Sequence, residues 1–211
     1  MKKTEYRILP LWFSSTLILL LASVAFSQLI NIPKSDDHKY LQRVVGFYGI
    51  ESDLRSDNLR EINSGNVNAI QANTLNVDNP EYEQKLAPLV KYSKDKRRYI
   101  DYASYSTIIN VIDKHTDCSF DVDTEVSIGD AITGNKYRVA FIGSFERVEG
   151  AGWLSNESIL IIKRNSEKKL IILEVINLKT MKYIEYEIQP KVNIESSYFY
   201  TELSNICQID K

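Results

Sequence analysis

This 211-residue chain is poor in the side chains that build metal centres: it has two cysteines and two histidines. Cys118 and Cys207 lie far apart, as do His38 and His115, so no Cys/His spacing of a zinc site exists. It also lacks the G-x-S-x-G and H-E-x-x-H patterns of familiar hydrolases. Charge of one sign is not in excess, with 26 basic against 28 acidic residues and a net charge of −2. Such a balance gives no electrostatic pull towards nucleic acid or anionic lipid. The one basic cluster, Lys94, Lys96, Arg97 and Arg98, is not interleaved with aromatics and reads as a solvated turn. Long apolar runs are absent after the first 30 residues.

The one long apolar run is at the start. Lys2, Lys3 and Arg7 precede apolar residues from Ile8 to Phe26, and small residues follow. A basic start, an apolar middle and a small-residue exit read as a secretory signal over residues 1–27, with Ala25-Phe26-Ser27 before Gln28 as the cut and Ser23-Val24-Ala25 as a second one. No Cys follows to carry a lipid. The rival reading is an uncleaved N-terminal membrane anchor, since Ile8 to Ile30 nearly reaches the roughly 20 residues a span needs. Pro10 and Ser14-Ser15-Thr16 shorten the apolar core and favour cleavage. The leader takes Lys2, Lys3, Arg7 and Glu5 with it, a net two positive charges, so −2 becomes −4 in the mature chain. The expected location is periplasmic or secreted, with no membrane span after cleavage.

Export bears on the cysteines. In an oxidising compartment, Cys118 and Cys207 can form a bridge. They can equally be separate thiols, because sequence does not show whether their Cα atoms approach within about 7 Å.

The mature chain changes character near residue 90. Residues 28–90 are polar and Asn-rich with weak helical periodicity. Leu41, Val44, Val45 and Tyr48 fall at i, i+3, i+4 and i+7, the apolar face of a short helix. Leu54, Leu59 and Ile62 suggest a second helix, and Asn79-Pro80-Glu81 the start of a third that points Leu86 and Leu89 inward. Ser64–Asp78 reads as a loop.

Residues 91–211 form short β-branched and aromatic runs. The expected strands are Arg98–Tyr102, Ser106–Ile112, Thr124–Ile128, Lys136–Ile142, Ser158–Lys163, Leu170–Ile176, Lys182–Ile188 and Tyr198–Leu203. Asp130 to Asn135 and Asn177 to Met181 read as hairpin turns. Ile159–Ile162 and Leu170–Leu173 are unbroken apolar runs, which implies cover on both faces. Ile184, Tyr186 and Ile188 alternate with Glu185 and Glu187, which implies one wet face.

Two segments share a plan. In the first, Tyr92-Ser93-Lys94-Asp95-Lys96 precedes strands that end at Asp130, with Thr133-Gly134 in the turn. In the second, Trp153-Leu154-Ser155-Asn156-Glu157 precedes strands that end at Asn177, with Thr180 in the turn. The plan resembles the blade repeat of TolB-type and WD-like β-propellers, over about residues 91–190, and uncharacterised secreted bacterial proteins that carry such a unit. Lys94, Lys96 and Met181 depart from that pattern. The resemblance implies a mainly β fold of two β-meander, propeller-blade-like repeats forming antiparallel sheets, with short N-terminal helices. Propellers close with four to eight blades, so two units would stay open.

The densest acidic run is Asp117, Asp121, Asp123 and Glu125. Asp121, Asp123 and Glu125 would share a strand face and offer oxygens to Ca²⁺, although a solvated loop is the preferred account of them. His115 stands beside Asp117, which favours its charged form. Trp153 follows Gly150-Ala151-Gly152 and is either a loop anchor for a partner or a packed blade aromatic. Tyr198, Phe199 and Tyr200 are either a sugar or protein platform or a final strand. Asn156-Glu157-Ser158 is a glycosylation sequon. No cofactor and no catalytic residue is expected. The chain reads as a non-catalytic binding or scaffold protein with an unknown protein or glycan partner. The alternative is an envelope hydrolase whose carboxylates would be Asp121, Asp123 and Glu125.

Overall fold

The i, i+3, i+4, i+7 spacing forms the helix it suggests. Helix α1 (Lys39–Phe47) buries Leu41, Val44 and Val45, and Tyr48 just beyond it is fully buried. The structure, a computed structural model, describes residues 32, 38–54, 59–72, 86–112, 115–192 and 195–207. The stretch 1–27, whose sequence reads as a secretory signal, and the expected helix start at Asn79-Pro80-Glu81 lie outside the described residues. Among the described residues, no helix is long and apolar enough to cross a membrane.

The rest is mainly β. The strands are β1 (Arg60–Asn66), β2 (Ile70–Gln71), β3 (Lys91–Tyr92), β4 (Arg98–Asp101), β5 (Thr107–Ile112), β6 (His115–Phe120), β7 (Thr124–Asp130), β8 (Lys136–Ile142), β9 (Glu146–Ser155), β10 (Ser158–Asn165), β11 (Leu170–Asn177) and β12 (Lys182–Ile188). A second helix, α2 (Tyr198–Ser204), follows them. One antiparallel sheet runs β1-β12-β11-β10-β9, a second runs β2-β8-β7-β4-β3, and β5-β6 is a separate hairpin. Each of the two units seen in the sequence is an antiparallel meander: β9 to β12 in the first sheet, and β3, β4, β7 and β8 in the second, with the β5-β6 hairpin inserted. Neither sheet closes into a barrel or propeller. The 28–90 segment lends an edge strand to each, since β1 pairs with β12 and β2 with β8.

The turns show why the units match. At the end of β7, Asp130 Oδ1 accepts from the N–H groups of Ile132 and Thr133, both at 2.8 Å. At the end of β11, Asn177 Oδ1 accepts from Lys179 at 3.0 Å and Thr180 at 2.9 Å. In both, a short polar side chain bonds its own backbone and shapes the turn. Four residues on, Gly134 and Met181 both take positive φ, 73° and 50°. Met181 therefore occupies a left-handed position that glycine enters more readily.

The layers follow from strand alternation. On β10, Ile159 and Ile161 join a core shared by the two sheets, with Val126, Ile100 and Ala151. Leu160 and Ile162 point the other way, with Leu173 and Val175, into a core under α1. Burying such a side chain contributes about 1.5–3 kcal/mol relative to exposure, so the doubly covered strands carry much of the stability. Gly150 and Gly152 allow α1 to lie close: a Cβ there would stand 2.9 Å from Val44 and 2.8 Å from Leu41.

Three local expectations are corrected. The stretch around Leu59 and Ile62 is strand, not helix, because β1 completes the backbone ladder of β12. Ser64–Asp78 holds the end of β1 and β2 rather than only a loop. Tyr198–Leu203 is helix, not strand: Ser197 caps it by accepting from Tyr200 N–H, and fully buried Glu149 accepts from Phe199 N–H at 3.1 Å. These acceptors satisfy donors that a helix start leaves open.

A bridge joins Cys118 of β6 to Cys207 after α2, with Cα atoms 5.7 Å apart across a separation of 89 residues. Closing that loop stabilises by roughly 4–5 kcal/mol in the chain-entropy account. It ties the inserted hairpin to the C-terminal helix.

Candidate functional site

A cleft of about 590 Å³ opens where the chain crosses from the second sheet to the first. One wall is the end of β8 and the 143–145 turn, with Phe141 and Phe145 at the lip. The floor is the inner face of the first sheet, with Glu146, Lys163, Glu174 and Glu185, one from each of β9 to β12. Register places them together. Lys163 comes from the end of β10, and Glu174 lies directly opposite Glu185 in the β11–β12 pair.

Lys163 is the hub. Its Nζ lies 3.1 Å from Glu174 and 3.5 Å from Glu146, and it donates to Glu185. Asn63 of β1 donates to Glu185 at 2.8 Å and to Tyr183 Oη at 3.2 Å. Asn165 donates to Glu146 at 3.2 Å. Burial works against the Lys163 ammonium, but Glu174, Glu185 and Glu146 outweigh it and raise its pKa above the usual lysine range. Glu174 moves the other way from most ion-paired carboxylates. Its burial raises its pKa, Lys163 only partly opposes that, and Glu185 and Glu146 add to it. The floor thus sets one ammonium among three carboxylates.

The lip is apolar and open. Phe141 is 48 % exposed and Phe145 is 66 % exposed. Partly exposed rings beside a polar floor give the cleft one apolar and one charged side.

The acidic candidates from the sequence do not converge. Glu125 is buried on β7, accepts from Ser127 Oγ and lies 3.6 Å from Arg138. Asp121 is exposed and accepts from Val122 N–H. Among the described residues no group of three His, Cys, Asp or Glu is arranged to hold a metal ion. Asp117 is exposed on β6, and Asp123 is half-buried just before β7. His38, before α1, has Nε2 3.4 Å from the Leu154 carbonyl, and the side chain of His115 lies outside the described residues.

The aromatic candidates are mostly structural. Trp153 is not on a loop: it lies in β9, is 8 % exposed, donates from Nε1 to the Lys91 carbonyl at 2.8 Å and takes Arg98 over its ring at 5.3 Å. Tyr198 and Phe199 are buried, and Tyr200 packs on Phe120 and Arg147, so these three form no open platform. Asn156 sits in the exposed β9–β10 turn, its carbonyl accepting from Arg98. The basic cluster occupies the β3–β4 turn, with Lys94, Lys96 and Arg97 exposed.

The cleft residues escaped the sequence reading because each stands alone in its own strand. Lys163 ends the run Ile159–Ile162, and Glu174 interrupts the apolar run of β11. A charge inside a strand covered on both faces is the signal that would have found them. Comparison with protein-family models, with curated proteins and with solved structures gave no match.

Proposed function

We propose that this chain is a secreted or periplasmic, non-catalytic binding protein whose ligand enters the cleft between the sheets. The observation that carries this reading is the cleft itself: a polar floor from four strands with two exposed phenyl rings at its lip. The disulfide favours an oxidising compartment. The likeness of the two meanders to propeller blades, which commonly present surfaces to partners, agrees with a binding role.

The hydrolase reading draws on the raised Glu174, a candidate proton donor. Lys163 counts against it. Its ammonium sits between the carboxylates, where a scissile bond would need to lie.

The test is retention of the mature protein on immobilised envelope fractions. Gly143→Trp would fill the cleft mouth, where the nearest neighbour of an added Cβ is Asp123 at 3.9 Å. Ile132→Trp alters an exposed turn at the end of β7. Wild type and Ile132→Trp are retained, and Gly143→Trp is not. Equal retention of all three contradicts the proposal.

A further inference from the structure

We infer that the cleft receives an organic cation: an ammonium or guanidinium carried on an apolar stem. This rests on the cleft being the binding site and adds the chemistry of what enters it.

The first argument is hydrogen-bond accounting. Lys163 has three N–H donors, and three carboxylates surround its Nζ. The Asn63 and Asn165 amides are turned into the floor, on Glu185, Tyr183 and Glu146. The ammonium and amide donors of the floor are therefore engaged internally, while the Tyr183 and Ser144 hydroxyls, which can donate or accept, also line the cleft. Each carboxylate has about four acceptor positions and uses one or two of them. What remains facing the opening is mainly carboxylate acceptor, which favours a ligand that donates.

The second argument is charge. Glu174 and Glu185 face each other directly across β11 and β12. Like charges opposite one another weaken a sheet pair. Lys163 offsets one charge of the three carboxylates around it. A second cation halves the remaining negative charge and converts a local liability into binding energy. An anion would meet the same carboxylates and be repelled.

The third argument is the lip. A bare metal ion has no use for exposed Phe141 and Phe145. An alkyl stem packs on such rings, and a cation over a ring face is attracted to it. Phe141 already does this within the chain, with the Arg138 guanidinium 5.1 Å from its centroid.

Proton linkage follows. The groups facing Glu174 are Lys163 from β10, Glu185 and Tyr183 from β12, and Glu146 from β9. A bound cation stabilises the ionised form of Glu174, so binding releases protons and weakens as pH falls through its raised pKa.

Calorimetry on the mature protein at low salt tests this with five probes. Two are cationic: 1,5-diaminopentane as a free amine, and acetyl-Gly-Lys-Gly-amide as a side chain on a peptide. The others are 1,5-pentanediol, glutarate and Ca²⁺. Both cations bind, the tighter one identifying the source, while the diol and glutarate give no heat. Glu174→Gln weakens cation binding roughly tenfold, and Phe145→Ala, an exposed position that leaves the core intact, weakens it several-fold. Diol or glutarate binding as well as the diamine, Ca²⁺ binding without the diamine, or no heat from either cation overturns the inference. If a neutral or anionic probe binds and Gly143→Trp abolishes it, the cleft stands as the binding site and only the cation falls. If Gly143→Trp also leaves envelope retention unchanged, the binding reading falls with it.

Discussion

The two meanders share a turn chemistry and differ in cover. The β9–β12 unit is packed on both faces, by α1 on one side and the other sheet on the other. Its central strands carry the apolar runs Ile159–Ile162, which Lys163 follows, and Leu170–Ile176, which Glu174 interrupts. The β3–β8 unit is apolar towards the shared core, while its other face carries the ion pairs Asp101–Lys136, at 2.6 Å, and Glu125–Arg138. The comparison separates two uses of buried charge. In the second sheet each carboxylate has its own cation. In the first, Glu149 has Arg164, but Glu146, Glu174 and Glu185 share Lys163, and that imbalance lies in the cleft.

The largest contrast to probe is cover. Leu173→Ala, in the strand covered on both faces, lowers unfolding free energy by about 3–4 kcal/mol, whereas Ile132→Ala on the exposed turn changes it by less than about 0.5 kcal/mol. Urea denaturation measures both, and equal losses would remove the distinction. Next comes Gly152→Val. Its Cβ would meet the Leu41 side chain at 2.8 Å, and forcing α1 outward costs about 1–3 kcal/mol. A neutral result would show that α1 does not seat on β9.

The shared turns come third. Asn177→Ala removes an acceptor for two N–H groups and lowers stability by about 1 kcal/mol. Asp130→Ala removes the equivalent acceptor and also destabilises at neutral pH. The two N–H bonds lower the Asp130 pKa, so its contribution is present above the ordinary carboxylate value and fades as pH falls through the lowered one. An Asn177→Ala variant as stable as wild type would separate the two turns.

The smallest effect is opposite in sign between the sheets. Burial raises the pKa of Asp101, but Lys136 and hydrogen bonds at Ser104 overcome it, so the net shift is downward. Its stabilisation exists above the ordinary aspartate value and is lost as pH falls through the folded one. Glu174 is raised, so stability declines as pH rises from the ordinary glutamate value through the raised one. In unfolding curves between about pH 3 and 8, Asp101→Asn removes an acid-side loss and Glu174→Gln removes a decline at higher pH. Slopes of the same sign would break the comparison.

The legible parts of the fold were those fixed by local chemistry. Helix α1 is legible in its apolar spacing, and the β7–β8 and β11–β12 turns in an Asp or Asn three residues before a Thr. The illegible parts were set by distant partners. β9 hides behind Glu149, Gly150 and Gly152, because the glycines serve α1 and Glu149 serves Arg164 and the start of α2. α2 has the strand-like sequence Tyr-Phe-Tyr, overridden by its caps. The acidic run at residues 117–125 drew the search for a site because it is dense in sequence. The cleft assembles single residues from β9, β10, β11 and β12, a grouping only the register creates.

Nitrogen-15 chemical-shift mapping of residues 28–211 with 1,5-diaminopentane addresses the central claim most directly. Saturable shifts confined to Phe145, Glu146, Lys163, Glu174, Tyr183 and Glu185 are the expected result. Shifts scattered over the surface, or none at these residues at millimolar diamine, would contradict it.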